Sequence, residues 1–189
     1  MKKSMIAIAL MATTAACGGS NDVTVDGAGG DSMMAAAALD AAPALFADLG
    51  GVAQNPIYTE EFGETLAVRG YDVVSYFVGD AMPVVGTEEF TVRYNGYDYR
   101  FANEGNAQLF VEDPAKYAPA YGGYCAWAIG ANDRLAPGDP EVYEIVDGKL
   151  YLNFNTDVQG RWEKDIPGFI EAGDINYPTH SADEHYKQQ

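Results

Sequence analysis

The segment with the most chemical potential is Tyr121-Gly122-Gly123-Tyr124-Cys125-Ala126-Trp127-Ala128-Ile129. Paired glycines before Cys125 allow a sharp turn, and a helix begun there sets the positive end of its dipole against the sulfur, which favours thiolate. Such a sulfur would attack electrophiles or hold a soft metal, copper or zinc. The neighbours argue the other way: Ala126, Trp127, Ala128 and Ile129 form an apolar setting in which a free cysteine acts as a small hydrophobe. The inert reading carries more weight, and Cys125 remains a weak metal candidate. His180 and His185 stand five apart near the C-terminus with Asp183 and Glu184 between them. That spacing matches no helical face well, so a solvated terminus outweighs a weak divalent-ion site. A Cys-His couple is not indicated. The 28 acidic residues are too many for any pair to stand out as acid and base, and no catalytic residue is assigned.

The second cysteine, Cys17, sits in a different context. Lys2 and Lys3, an apolar run from Met5 to Met11 and small residues from Ala12 to Ala16 read as a secretion signal over residues 1–16. The run is too short to span a bilayer, which takes about twenty apolar residues. Thr14-Ala15-Ala16-Cys17 resembles a bacterial lipobox, with Thr14 where leucine is commoner. Cys17 is then the lipidated first residue of the mature chain, and an ordinary secreted protein cut near Ala16 is the competing reading. Gly18 lacks the aspartate that retains lipoproteins at an inner membrane, so the resemblance implies an outer-membrane address facing the periplasm where the cell has one. Loss of Lys2 and Lys3 leaves nine basic against 28 acidic residues, a formal charge of −19. Nucleic acid is a poor partner for such a chain, and high negative charge is in any case an ordinary solubility device. With Cys17 acylated, Cys125 has no partner for an internal disulfide, and a lone thiol in an oxidising compartment calls for burial or a use.

Residues 18–32 are Gly-, Ser- and Asp-rich with almost no large apolar side chain, which predicts a flexible tether. An Ala-rich piece follows in which Asp40 can cap a short helix, Gly50 can end it, and Leu45, Phe46 and Leu49 can dock it. The compact part is expected over residues 62–178, with a loose tail over 179–189. It holds two hairpin signals, Phe90–Tyr94 and Tyr97–Phe101 around Asn95-Gly96, and Val142–Val146 and Lys149–Phe154 around Asp147-Gly148. Both dipeptides accept the positive φ angles of a type I′ turn. Each hairpin is followed by a helix signal, Asn103 as a cap in the first and a Thr156-x-x-Gln159 capping box in the second. Phe101 and Phe110 then pair with Phe154 and Trp162 as a pseudo-repeat. The fold class is α+β: one small domain, ββα twice, behind a tether.

Several separated motifs carry a family likeness. Gly70–Phe77, Tyr94–Phe101, Phe110–Tyr117 and Tyr121–Ala126, taken in order over Leu66 to Pro178, resemble the extended, envelope-located branch of the YHS domain family. The metal-binding branch carries thiolates at three positions where this chain has Ser75, Ala102 and Asn106. A hydroxyl, a methyl and an amide do not replace thiolate as ligands, so the resemblance implies the fold and the aromatic framework and not the metal.

The resemblance brings the motif tyrosines together. It implies an aromatic pocket built from Tyr71, Asp72, Tyr76, Tyr121, Tyr124, Cys125 and Trp127, and the polar, proline-bearing loop Gly130–Pro140 is placed to form a lip over it. Such a pocket binds by area, with hydroxyls and Asp72 orienting the ligand. A tyrosine-rich core is an equally weighted reading of the same residues. The expected function is a non-enzymatic envelope binding module for a small ligand or protein partner. Copper handling through Cys125 and a thiol-dependent redox role are the alternatives.

Overall fold

The computed structural model describes residues 44–186. The signal segment, Cys17, the tether and the Asp40 cap lie outside those residues. The architecture is α+β. Strands β1 (Ala47–Asp48), β2 (Thr87–Tyr94) and β3 (Tyr97–Phe101) form one sheet, and β4 (Asp139–Val146) and β5 (Lys149–Asn153) form a second. Helix α1 (Glu104–Glu112) and the single turn α2 (Pro114–Tyr117) follow the first hairpin. Helix α3 (Ala126–Asn132) links the halves, and α4 (Thr156–Trp162) and α5 (Ile166–Asn176) follow the second hairpin. No helix among the described residues is long and apolar enough to cross a membrane.

The two ββα units coincide under one step of 52 residues. Thr87–Tyr94 maps onto Asp139–Val146, Tyr97–Phe101 onto Lys149–Asn153, the cap Asn103 onto Asn155, Phe110 onto Trp162, and the cap Asp113 onto Asp165. Even the irregularity in each ladder recurs, between Thr87 and Thr91 and between Asp139 and Tyr143. Both hairpin turns have the left-handed residues a type I′ turn needs, Asn95 and Gly96 at φ 53° and 86°, Asp147 and Gly148 at 50° and 74°. The likeness extends upstream. A left-handed kink at Val68-Arg69-Gly70 recurs at Tyr121-Gly122-Gly123. After it the Asp72 amide donates to Val84 O at 2.8 Å, and the Cys125 amide to Ala136 O at 2.9 Å. Asp72 and Cys125 therefore hold the same place in their respective units.

That register corrects two details. The counterpart of Phe101 is Asn153, whose side chain turns inward, and not Phe154, which is half exposed. The cap of α4 is Asn155 and not Thr156: Asn155 is extended, and its Oδ1 accepts from the Val158 amide at 2.9 Å, as Asn103 Oδ1 accepts from Asn106.

Burial forms two adjoining cores. One collects Val73, Val74, Val92, Phe101, Phe110 and Leu150, and the other Tyr58, Tyr121, Tyr124, Ile129, Tyr151 and Trp162. Trp162 packs fully buried on Tyr151, ring centres 5.6 Å apart.

Both ends of the compact part differ from expectation. The residues expected to finish a docked helix are extended: Ala47 and Asp48 pair in parallel with Val92 and Arg93. The open edge of β2 satisfies this backbone while Phe46 packs against Phe90, so docking proceeds by strand addition. At the other end, residues 177–186 are not loose. Asn55 Nδ2 donates to Pro178 O and His180 O, Tyr186 Oη donates to Glu60 O, and Tyr186 packs on Tyr58. The His180 ring nitrogens meet Asp133 Oδ1 at 3.1 Å and Glu184 Oε2 at 3.0 Å, which turns both histidine contacts of the tail into fastenings instead of a metal site.

Glu184 titrates below the ordinary glutamate value near 4.5, because His180 and then the Ser181 amide bond its carboxylate. A depressed folded-state value means that this contribution is full above pH 4.5 and is lost as pH falls through the lower value. NMR signals of residues 180–186 should therefore leave their docked positions once acidification passes below the ordinary glutamate range, while the hairpin signals stay. Tail signals that remain in place down to pH 2 would refute this fastening.

Candidate functional site

Asp72 is fully buried, and its carboxylate takes four N–H donors. Oδ1 accepts from the Val74 and Ser75 amides at 2.9 and 3.2 Å; Oδ2 accepts from the Ala102 amide at 2.9 Å and from Asn106 Nδ2 at 2.7 Å. The first pair closes the turn after the left-handed kink, and the second pins that turn to the start of α1. Ser75, Ala102 and Asn106, the positions that the family resemblance aligns with thiolates, thus converge on one carboxylate and also line one hollow of about 590 Å3 beside Val78, Met82 and Val84. What they offer there is a hydroxyl, a methyl and an amide.

Among the described residues no three of His, Cys, Asp and Glu converge on a point that could hold a metal ion. Helix α3 does begin directly after Cys125, as the glycine turn predicts, and the backbone amides of Ala128, Phe154 and Trp127 draw the thiol pKa down. Burial is the larger effect and pushes it up. Cys125 is 1 % exposed, and its thiol makes a long contact, 3.7 Å, to Asn153 Oδ1. In this setting the thiol is a packed small hydrophobe.

The expected ligand-binding residues do not share one hollow. Asp72 is consumed by its own turn. Tyr76 is buried in the first core, its hydroxyl donating to Pro140 O at 2.8 Å. Tyr124 and Cys125 are sealed in the second half, with Tyr124 packed against Tyr58. Trp127 lies half buried beneath the Arg161 guanidinium and lines a pocket of about 270 Å3 with Leu135, Pro137 and Tyr186. Loop residues 134–137 do form a lip, but over Trp127 alone. The tyrosine backbone kinks send successive side chains of the 121–127 segment in different directions, which is why neighbours in sequence part company.

Tyr121 is the exception. It borders an open cleft of about 480 Å3 walled by Tyr151, Tyr177, Pro119, Pro178 and Ala118, with Asp174 and Lys149 at its edges. The Tyr121 ring stands against Tyr151 at 5.7 Å and against Tyr177 at 5.6 Å. Its hydroxyl reaches both the Ile170 carbonyl (3.1 Å) and Asp174 Oδ1 (3.0 Å). Two placements make this possible. Tyr121 adopts φ 53°, a left-handed setting uncommon outside glycine. Gly173 lets α5 pass close by, since an added Cβ would strike the Tyr121 hydroxyl. Burial, with the Asp174 charge behind it, pushes the Tyr121 phenol far above its ordinary value, and burial does the same for Tyr177 and, less strongly, Tyr151. All three therefore stay neutral donors at any working pH. Lys149 Nζ donates to Ala115 O at 3.0 Å and ties α2 to β5 across the cleft's rim.

Tyr151, Tyr177, Asp174 and Lys149 were not singled out from sequence. Alternation along Lys149-Leu150-Tyr151 and the helical spacing Ile170, Asp174, Tyr177 place each on a usable face, yet nothing local says that the two faces meet. Comparison with family models, curated proteins and solved structures gives no match for the chain.

Asp72→Asn puts an NH2 group where two amide donors already point. The buried turn then loses acceptors, and denaturant unfolding should show a loss of about 2–4 kcal/mol. A loss under 1 kcal/mol would mean that the carboxylate does not organise this region.

Proposed function

We propose that the chain is a lipid-anchored binding module of the bacterial cell envelope, YHS-like in fold, whose ligand seat is the tyrosine cleft. The observation that carries this reading is the cleft itself: about 480 Å3, open to solvent, walled by three tyrosines and two prolines with a carboxylate and an ammonium at the edges. Volumes of this order, apolar walls and a few placed polar groups are what small-ligand sites have in common. The convergence of Ser75, Ala102 and Asn106 on Asp72 supports the YHS likeness, because that likeness predicts three distant positions at one centre. Copper handling through Cys125 loses support, since the thiol is enclosed and nothing beside it completes a ligand set; a thiol-dependent redox role loses it for the same reason.

The address rests on Cys17. On detergent-phase partitioning of membranes from expressing cells, the chain should follow the detergent, and Cys17→Ser should move it to the aqueous phase. Equal partitioning of the two forms would remove the lipid anchor from this reading.

The seat is tested by filling it. Ala115 is exposed and lines the cleft, so Ala115→Trp blocks the space without touching the core. Saturation-transfer NMR with a set of small aromatic and aliphatic fragments should show binders to the unaltered chain whose signal falls about tenfold in the blocked one. Fragment binding indifferent to Ala115→Trp would place the seat elsewhere.

A further inference from the structure

We infer that the cleft takes a small organic ammonium ion with an apolar body, an inference that rests on the cleft being the ligand seat. Asp174 supplies the charge. Its carboxylate accepts from the Tyr121 hydroxyl at 3.0 Å and forms no ion pair among the described residues, so most of its acceptor capacity faces outward. Tyr121, Tyr151 and Tyr177 supply the walls. Aromatic faces are electron-rich and attract a cation laid against them, and burial keeps these three phenols neutral. Two of the hydroxyls are already engaged: the single Tyr121 proton lies between Ile170 O and Asp174 Oδ1, and Tyr177 donates to Pro56 O at 2.7 Å. What remains to recognise a ligand is therefore one carboxylate, the Tyr151 hydroxyl, ring surface, and the apolar sides of Pro119, Ala118 and Pro178.

Other ligand charges fit less well. An anion would have to approach Asp174 through the field of a chain whose formal charge is −17, a field that concentrates cations instead. Lys149, the one basic side chain on the rim among the described residues, already directs its ammonium to Ala115 O. A neutral ligand would return to Asp174 at most an uncharged donor for the water it displaces, a weaker answer to a desolvated charge than an ammonium gives. An ammonium pairs with the carboxylate, lies against the rings, and buries its body on the prolines.

The test uses three ligands of one shape on the full chain, followed by calorimetry: phenethylammonium, 2-phenylethanol and phenylacetate. Phenethylammonium should bind about tenfold tighter than the alcohol, the difference expected of one charge-assisted pair, and phenylacetate should bind weakest. Asp174→Asn keeps an oxygen for the Tyr121 hydroxyl while removing the charge, and should abolish the ammonium preference, bringing the ammonium and the alcohol to about equal affinity. Raising ionic strength on the unaltered chain should weaken ammonium binding and leave the alcohol unaffected, a readout independent of how the variant folds. Equal or tighter binding of the alcohol or the acid, with Ala115→Trp still blocking it, would overturn the ammonium class and leave the seat standing. Binding of none of the three would overturn both.

Discussion

The buried Asp72 carboxylate is the constraint around which the first half of the domain is arranged. A charge taken out of water is tolerated only when its lone pairs are answered, and here four N–H groups from three chain segments answer them. Because those donors come from the 72–75 turn, the end of β3 and the first turn of α1, satisfying one group fixes three elements together. The pieces around it are short: α2 has four residues and β1 two. Elements of that length have little stability of their own, so a shared polar centre matters more than propensity in holding them.

The second half solves the same geometry differently. Cys125 stands where Asp72 stands, and the inward Asn153 takes the Trp127 amide at 3.2 Å, so an amide and a packed sulfur replace the charged centre. Released from that role, the left-handed residue of the second kink is Tyr121 instead of Val68, and its phenol reaches across to α5. The cleft exists because the two copies of one supersecondary plan are filled with different side chains. An internal repeat of this kind builds asymmetry cheaply: the backbone plan is reused, and the cleft lies in what the second unit does not share with the first.

How much of this was legible follows the range of the interactions involved. Asn95-Gly96 and Asp147-Gly148 declared the hairpins, since a type I′ turn depends on two residues alone. Asn103 was readable for the same reason, a cap being local. Leu45, Phe46 and Leu49 suited a helix equally well; the free edge of β2, more than forty residues away, made that stretch a strand. The tail reads as polar and solvated until Asn55, Glu60 and Asp133 are seen to wait for it. The Tyr121–Trp127 segment was identified correctly as unusual, but its kinked backbone disperses its side chains over separate sites, and only a tertiary view gives Tyr121 its companions Tyr151, Asp174 and Tyr177.

The bond from Tyr177 Oη to Pro56 O joins the cleft's wall to the segment by which the chain enters the domain. Asn55, one residue earlier, holds Pro178 on the same wall. Position of the incoming strand and shape of the cleft are thus one variable and not two. The two bonds tie residues 55 and 56 to the cleft wall, and a coupling carried by them is equal in both directions. Tension applied to the chain at residues 55 and 56 would therefore reach the wall of the cleft directly.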